Sequence, residues 1–168
     1  MVKKSLTLNF FPKKFKPFAG QYFEGEVIAG AKEGDAFFGK KLIMHIASYN
    51  DREVKIPFFV GEDKSRPWII SYSNEVLTLK HDHRHQDGSP DKITYYGGTA
   101  TNSGQDSIQV FPADAETCHL IGYACQNVWW ITMDGRTYTY NLRRIGSDRV
   151  FTVKFDLSKP VQSNIKPW

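Results

Sequence analysis

Two-residue alternation across RTYTYNLRR and RVFTVKFDL limits what this chain can become. Tyr138, Tyr140 and Leu142 face one way and Thr137, Thr139 and Asn141 the other. Phe151, Val153, Phe155 and Leu157 then oppose Thr152, Lys154 and Asp156. Successive side chains of a strand point to opposite faces, so each segment has one apolar and one solvated face, as in an antiparallel sheet. Similar segments recur upstream: QYFEGEVIA, KKLIMHIAS, EVKIPFFV, WIISYS, EVLTLKHDH, KITYYG, SIQVFP and NVWWITM. Asp134-Gly135 suits a two-residue hairpin loop, because both residues tolerate positive φ. Gly146-Ser147-Asp148 and Asp87-Gly88-Ser89-Pro90 mark further turns. No segment carries a long helical stripe, and AETCHLIGYA is the best place for a short helix. The expected fold is all-β: a single antiparallel up-and-down β-barrel, calycin-like (the lipocalin or fatty-acid-binding kind). Such a barrel has no exposed edges and can hold a small ligand. A β-sandwich is the alternative.

The chain has 168 residues, enough for one domain with a sizeable core, and its 14% aromatic content suits pleated surfaces. The expected organisation is a basic N-terminal arm over residues 1–16, a β-barrel domain over 17–161 and a tail over 162–168. The net charge of +4 is concentrated in that arm, at Lys3, Lys4, Lys13, Lys14 and Lys16. Without those 5 lysines, 17 basic residues face 18 acidic ones, so no basic face for nucleic acid is expected. Phe10, Phe11, Phe15 and Phe18 interleave with the lysines. They read as a leader whose phenylalanines cap the barrel; a membrane-surface or nucleic-acid arm is the other reading. No apolar run approaches the ~20 residues of a membrane span. The opening MVKKSLTLNFF is too short and polar in its apolar part for a secretory leader. A cytoplasmic protein, or an exported one with its signal removed, fits this pattern. Cys118 and Cys125 flank six residues that could turn as a hairpin and bring them within bridging distance; two buried free thiols are the alternative.

The richest stretch in chemistry is LTLKHDHRHQDGSPD, residues 77–91, with three of the five histidines. On a strand, Leu77, Leu79, His81, His83 and His85 share one face, and Thr78, Lys80, Asp82 and Arg84 share the other. The leucines make the first face the inner one, which aims the histidines into the barrel or at its mouth. Same-face neighbours lie ~6.6 Å apart, so two imidazoles can tilt onto one ion with Zn–N near ~2.1 Å. Histidines four residues apart lie ~13 Å apart and cannot share it. A transition-metal site such as zinc would therefore need a pair from His81, His83 and His85 plus another donor. His45, His119, Asp87 and Glu62 are the candidates. Rim histidines bonded to backbone or water, and metal-free acid/base histidines, are the competing readings.

Gly61-Glu62-Asp63-Lys64-Ser65-Arg66 reads either as a solvated turn or as a mouth loop that presents Arg66 to an anion. Arg143 and Arg144 point to opposite faces, so one of them can look inward towards an anionic partner. Trp129 and Trp130 are likewise opposed; one belongs to the core, and Trp130 is taken as the cavity candidate beside Tyr138 and Tyr140. Gly97-Gly98 reads as a turn without the spacing of a phosphate-binding loop. Neither an HExxH nor a nucleophile-elbow pattern is present.

HDHRHQDG followed by YYGG resembles a block of an uncharacterised family of bacterial proteins. FFGKKLIMHI, IPFFVGEDKSRPW, FPAD, NVW, YNLRR and FTVKFDL are similar to its other blocks, in order, from about Phe18 to Val161. No activity is established for that family, so the resemblance implies no mechanism; it does imply kinship with exported proteins. The expected function is binding of a small molecule at His81, His83 and His85, with Arg66, Arg143, Arg144, Tyr138, Tyr140 and Trp130 as further contacts. The alternatives are a metal-dependent or histidine acid/base hydrolase, lyase or isomerase, and a structural or interaction module with rim histidines.

Overall fold

The computed structural model describes residues 13–168. Lys3, Lys4, Phe10 and Phe11 of the expected arm lie outside the described residues. Among the described residues twelve strands form two antiparallel sheets. Strands β1 (Tyr22–Ala29), β2 (Leu42–His45), β5 (Phe58–Val60), β9 (Ile108–Pro112), β10 (Asn127–Met133), β11 (Thr137–Arg144) and β12 (Val150–Val161) make the larger, in the order β5-β2-β1-β12-β11-β10-β9. Strands β3 (Ser48–Tyr49), β4 (Glu53–Ile56), β6 (Trp68–Ser73), β7 (Val76–His81) and β8 (Tyr96–Thr99) make the smaller, in the order β3-β4-β6-β7-β8. Neighbours in sequence are mostly neighbours in space, as short connections require.

Two segments expected to be single strands each change sheet. KKLIMHIAS supplies β2 to the larger sheet and β3 to the smaller, and EVKIPFFV supplies β4 and β5 in the same way. The break in the second falls at Pro57, which has no N–H to give to a ladder. Its carbonyl still accepts from His45 N, so the hairpin stays paired while it crosses. On the opposite side, β8 and β9 meet through one isolated bridge, Gly98 to Ala113. Gly97-Gly98, expected as a turn, is therefore part of β8 at this seam. A Cβ on Gly98 would run into the carbonyls of Phe111 and Pro112, which is why the close approach needs glycine.

The inner faces of both sheets supply one core. Trp68 is stacked between Phe58 and Tyr140, at centroid distances of 4.5 and 4.3 Å. Tyr138, Phe155 and Met133 are fully or almost fully buried beneath this column. Phe15 is buried against the edge of Tyr138, and Phe18 packs edge-on to Phe23. The C-terminal tail runs back over the domain, with Tyr22 Oη donating to Ile165 O and Trp168 N to Lys64 O.

The Asp134-Gly135 signal marks a hairpin, but its two central residues are Gly135 and Arg136. Asp134 N donates to Thr137 O, and the Asp134 carboxylate accepts from Arg136 N and Thr137 N. Only Gly135 takes positive φ there. The short helix α1 (Ala115–Leu120) forms where a helix was expected, capped by Asp114, whose side chain accepts from Thr117 N. Cys118 and Cys125 are disulfide-bonded, with Cα atoms 4.4 Å apart. The bridge joins α1 to the 3-10 turn Gly122–Gln126, not the two arms of a β-hairpin.

The seam yields a test. Gly98→Ala forces a methyl group into two backbone carbonyls, and overpacking of this kind costs about 1–3 kcal/mol. A clear fall in the urea midpoint is expected, whereas Gly122→Ala, which has open space around its Cβ position, should leave the midpoint nearly unchanged.

Candidate functional site

Strand register builds a layered site. On β11, Tyr138, Tyr140, Leu142 and Arg144 occupy alternate positions, so one strand leads from dry core to a charged rim. Trp129 pairs with Leu142, and Asn127 pairs with Arg144. In the smaller sheet, Trp68, His81 and Tyr96 are direct cross-strand neighbours and share a face. These two surfaces enclose a pocket of ≈ 220 Å³. Phe37, Phe58, Trp68, Tyr96, Tyr123, Trp129, Tyr140 and Phe151 supply its aromatic walls. Its polar groups come from His81, His83, Asn127 and three arginines, Arg66, Arg144 and Arg149; no carboxylate lines it.

His81 is 5% exposed and bonded on both ring nitrogens. Nδ1 lies 3.0 Å from the Tyr96 carbonyl, which can only accept. Nδ1 therefore carries the hydrogen, and Nε2 accepts from the Tyr140 hydroxyl at 2.6 Å. Burial pushes the His81 pKa down to about 3, helped by the charges of His83, Arg66 and Lys80. The ring is neutral at neutral pH. Burial likewise holds the Tyr140 phenol well above its ordinary range. His83 lies half-buried, 3.0 Å from Tyr96 Oη through Nε2, and burial together with Arg66 lowers its pKa. The Tyr96 ring stacks on His81 at 4.6 Å and on His83 at 5.4 Å. Tyr95, just before it, takes φ of +57°, and its N–H is held by the His81 carbonyl at 2.7 Å. A left-handed backbone at a non-glycine residue is costly, and here it turns Tyr96 into the pocket.

The strand ends at His81, so the histidine face is not continued as a ladder. His83 still reaches the pocket, but His85 is exposed in the following turn, where its N–H donates to Ser89 O. Of the other candidates, Arg66, Arg144 and Tyr140 line the pocket. Arg143 and Trp130 lie on the opposite face of their strands, and Trp129 takes the inward place instead. Tyr138 lies deeper than the pocket lining, and its hydroxyl is buried without a hydrogen-bond partner among the described residues. Lys80, expected in solvent, has a side chain only 12% exposed and bonds Asp114 at 2.6 Å and Glu116 at 2.8 Å. Those ion pairs hold α1 against β7, and Thr117 Oγ1 bonds both N and O of Gly97. The disulfide-linked segment that follows lays Ile121, Tyr123 and Ala124 along the pocket.

The metal reading was one alternative for these histidines. Among the described residues no group of three or more His, Cys, Asp or Glu side chains converges on a point. Both nitrogens of His81 are engaged, and His45 stacks on Tyr22 at 3.8 Å. His119 bonds Ala115 O on α1, and Asp87 holds the Ser89 turn. Tyr96, Trp68 and Arg149 were not singled out from the sequence as site residues. Parity within β11 assigns Arg144 the inner side, whereas Arg149 comes from a loop whose position only tertiary packing sets.

Comparison of the chain with protein-family models, with curated proteins and with solved structures returned no match.

Two outcomes follow from the buried polar groups. Tyr140→Phe removes the donor to His81 Nε2 and leaves a buried acceptor unpaired, at a cost of about 1–3 kcal/mol. Tyr138→Phe removes a hydroxyl with no partner and should be neutral or stabilising; urea denaturation of both variants makes the comparison. Second, the His81 pKa lies at about 3 in the folded chain and near the ordinary imidazole value of 6.5 when unfolded. The unfolded state therefore binds the extra proton between these values. Stability from this group is complete above pH 6.5 and declines as pH falls towards 3, with a limiting slope of roughly 1.4 kcal/mol per pH unit. His83 and His45, also lowered, act with the same sign. Denaturation midpoints from pH 7 to 4 should fall in the native chain and fall less steeply in His81→Gln.

Proposed function

We propose that this protein is a small-molecule-binding protein whose ligand sits between the two sheets, against His81, His83, Tyr96 and Tyr140. The observation that carries this reading is the combination of an aromatic pocket with a few convergent polar groups, the usual make-up of a ligand site. In this reading the two sheets act as one flattened, calycin-like barrel. The near-meander strand order, the hairpin that crosses between sheets and the Gly98–Ala113 bridge support that view. The larger pocket-like depression, of ≈ 540 Å³, is an outer surface of mixed charge around Glu26, Arg136, Lys154 and Asp156, as expected of a solvated sheet face.

The polar groups favour binding over acid/base chemistry. His81 titrates near pH 3 and Tyr140 far above neutrality, so neither readily exchanges a proton at pH 7. Both instead offer fixed hydrogen-bonding atoms in a site of low polarity. Enzymatic turnover would need a group poised near neutrality, and burial together with Arg66 lowers the His83 pKa from its ordinary value.

Trp68 and Trp129 line the pocket and report on it. A panel of single-ring compounds (phenol, benzyl alcohol, benzylamine and benzoate) should include at least one that changes tryptophan emission saturably. The same compound should raise the melting temperature, by the equivalent of about 2.7 kcal/mol at a hundred times its Kd. Tyr96→Ala should weaken that binding. If no compound in the panel shifts either signal, the binding reading is wrong.

A further inference from the structure

We propose that the ligand of this pocket is a small organic monoanion, a compact apolar body bearing one carboxylate, and that Arg144 is its anion partner. This rests on the binding reading above and adds to it the charge, size and anchor of the occupant.

The charge follows from the pairing of the three guanidinium groups. Arg66 Nε is held by the Asp63 carboxylate at 2.6 Å, and Arg149 by the Asp35 carboxylate at 2.7 Å. Neither acid lines the pocket, so both ion pairs are anchored from behind. Arg144 differs. Its Nε donates to the neutral amide oxygen of Asn127 at 2.9 Å, and its guanidinium lies 4.5 Å from the Tyr123 ring centroid. Among the described residues it forms no ion pair, and neither terminal nitrogen donates to a protein acceptor. Residues 1–12 contain no acid either. His81, facing the same space, is uncharged at neutral pH, and burial lowers the pKa of His83 beside it. One positive charge thus remains uncompensated at the rim of a largely aromatic pocket, where leaving it unpaired is unfavourable.

Shape points the same way. With Nε fixed by Asn127, the two terminal nitrogens of Arg144 form a planar fork that matches the two oxygens of a carboxylate. Below that rim the strand order presents Leu142 and Trp129, then Tyr140 and Trp68. The anion would sit at the rim and the apolar body below it. A cavity of ~150 Å³ holds benzene and drug-sized ligands take ~300 Å³ or more. The ≈ 220 Å³ here suits one ring with a short substituent.

The test is a fluorescence and calorimetric titration at pH 7 with benzoate, benzyl alcohol, benzylamine and phenyl phosphate. Wild type is compared with Arg144→Gln and with Arg143→Gln, its exposed neighbour. Benzoate is expected to bind about tenfold or more tightly than benzyl alcohol, with benzylamine weakest. Arg144→Gln should abolish that preference while keeping the affinity for benzyl alcohol, which also shows that the variant folds. Arg143→Gln should behave as wild type. Equal binding of benzoate and benzyl alcohol, or a preference that survives in Arg144→Gln, overturns the anion assignment but leaves the pocket reading intact. Tighter binding of phenyl phosphate than of benzoate overturns the monoanion. No binding of any compound overturns the pocket reading itself.

Discussion

The hydrogen bond from the Tyr140 hydroxyl to His81 Nε2 ties the two sheets together at the boundary between core and pocket. It joins β11 of one sheet to β7 of the other inside a low-dielectric space, where an unpaired polar atom is costly. Several features depend on it. It completes the His81 tautomer, in which Nδ1 donates to the Tyr96 carbonyl and leaves Nε2 free to accept. It places the imidazole so that Tyr96 stacks on it, and Tyr96 in turn holds His83. It also orients Tyr140 beneath Trp68, where the ring extends the aromatic column from Phe58. Below this level the core is dry and tightly packed. Above it polar and charged groups enter.

Charge in the pocket is arranged by distance from carboxylates. Asp63 and Asp35 sit behind their arginines, in segments that connect strands, and restrain Arg66 and Arg149. The same device appears outside the pocket, where Lys80 is held between Asp114 and Glu116. That cluster lies outside the pocket lining. It fixes α1, which begins the disulfide-linked segment carrying Tyr123 to the rim and so supplies the ring on which Arg144 rests. A mixed-charge chain with a nearly neutral body can therefore present a pocket of single sign. The selection is made by which side chains face inward, not by composition.

Much of this was legible in the residues. Alternation in β11 marked Tyr138, Tyr140 and Leu142 as one face, and the same parity carries on to Arg144. Leu77, Leu79 and His81 were readable as inward because a strand repeats every two residues. The pattern misled where the strand stopped. Beyond His81 the chain leaves the ladder, so the rule no longer places His85. It also misled where two apolar residues are adjacent, because Trp129 and Trp130 are both plausible inward residues until the partner strands are known. EVKIPFFV read as one strand, and the pieces on either side of Pro57 join different sheets. Tyr96 and Arg149 gave no local signal, since their roles arise from β7 and from the loop around Asp35, far away in sequence.

The amino-acid sequence by itself determined the all-β class of fold, several of the turns and which face of the long strands is apolar. Those properties depend on nearest-neighbour geometry and on burial of one face. The tertiary structure alone decided that His81 lies against Tyr140, that Arg149 pairs with Asp35, and that Arg144 forms no ion pair among the described residues. The first two are contacts between residues 59 and 114 positions apart. Their formation depends on sheet register and crossover, which no local pattern encodes.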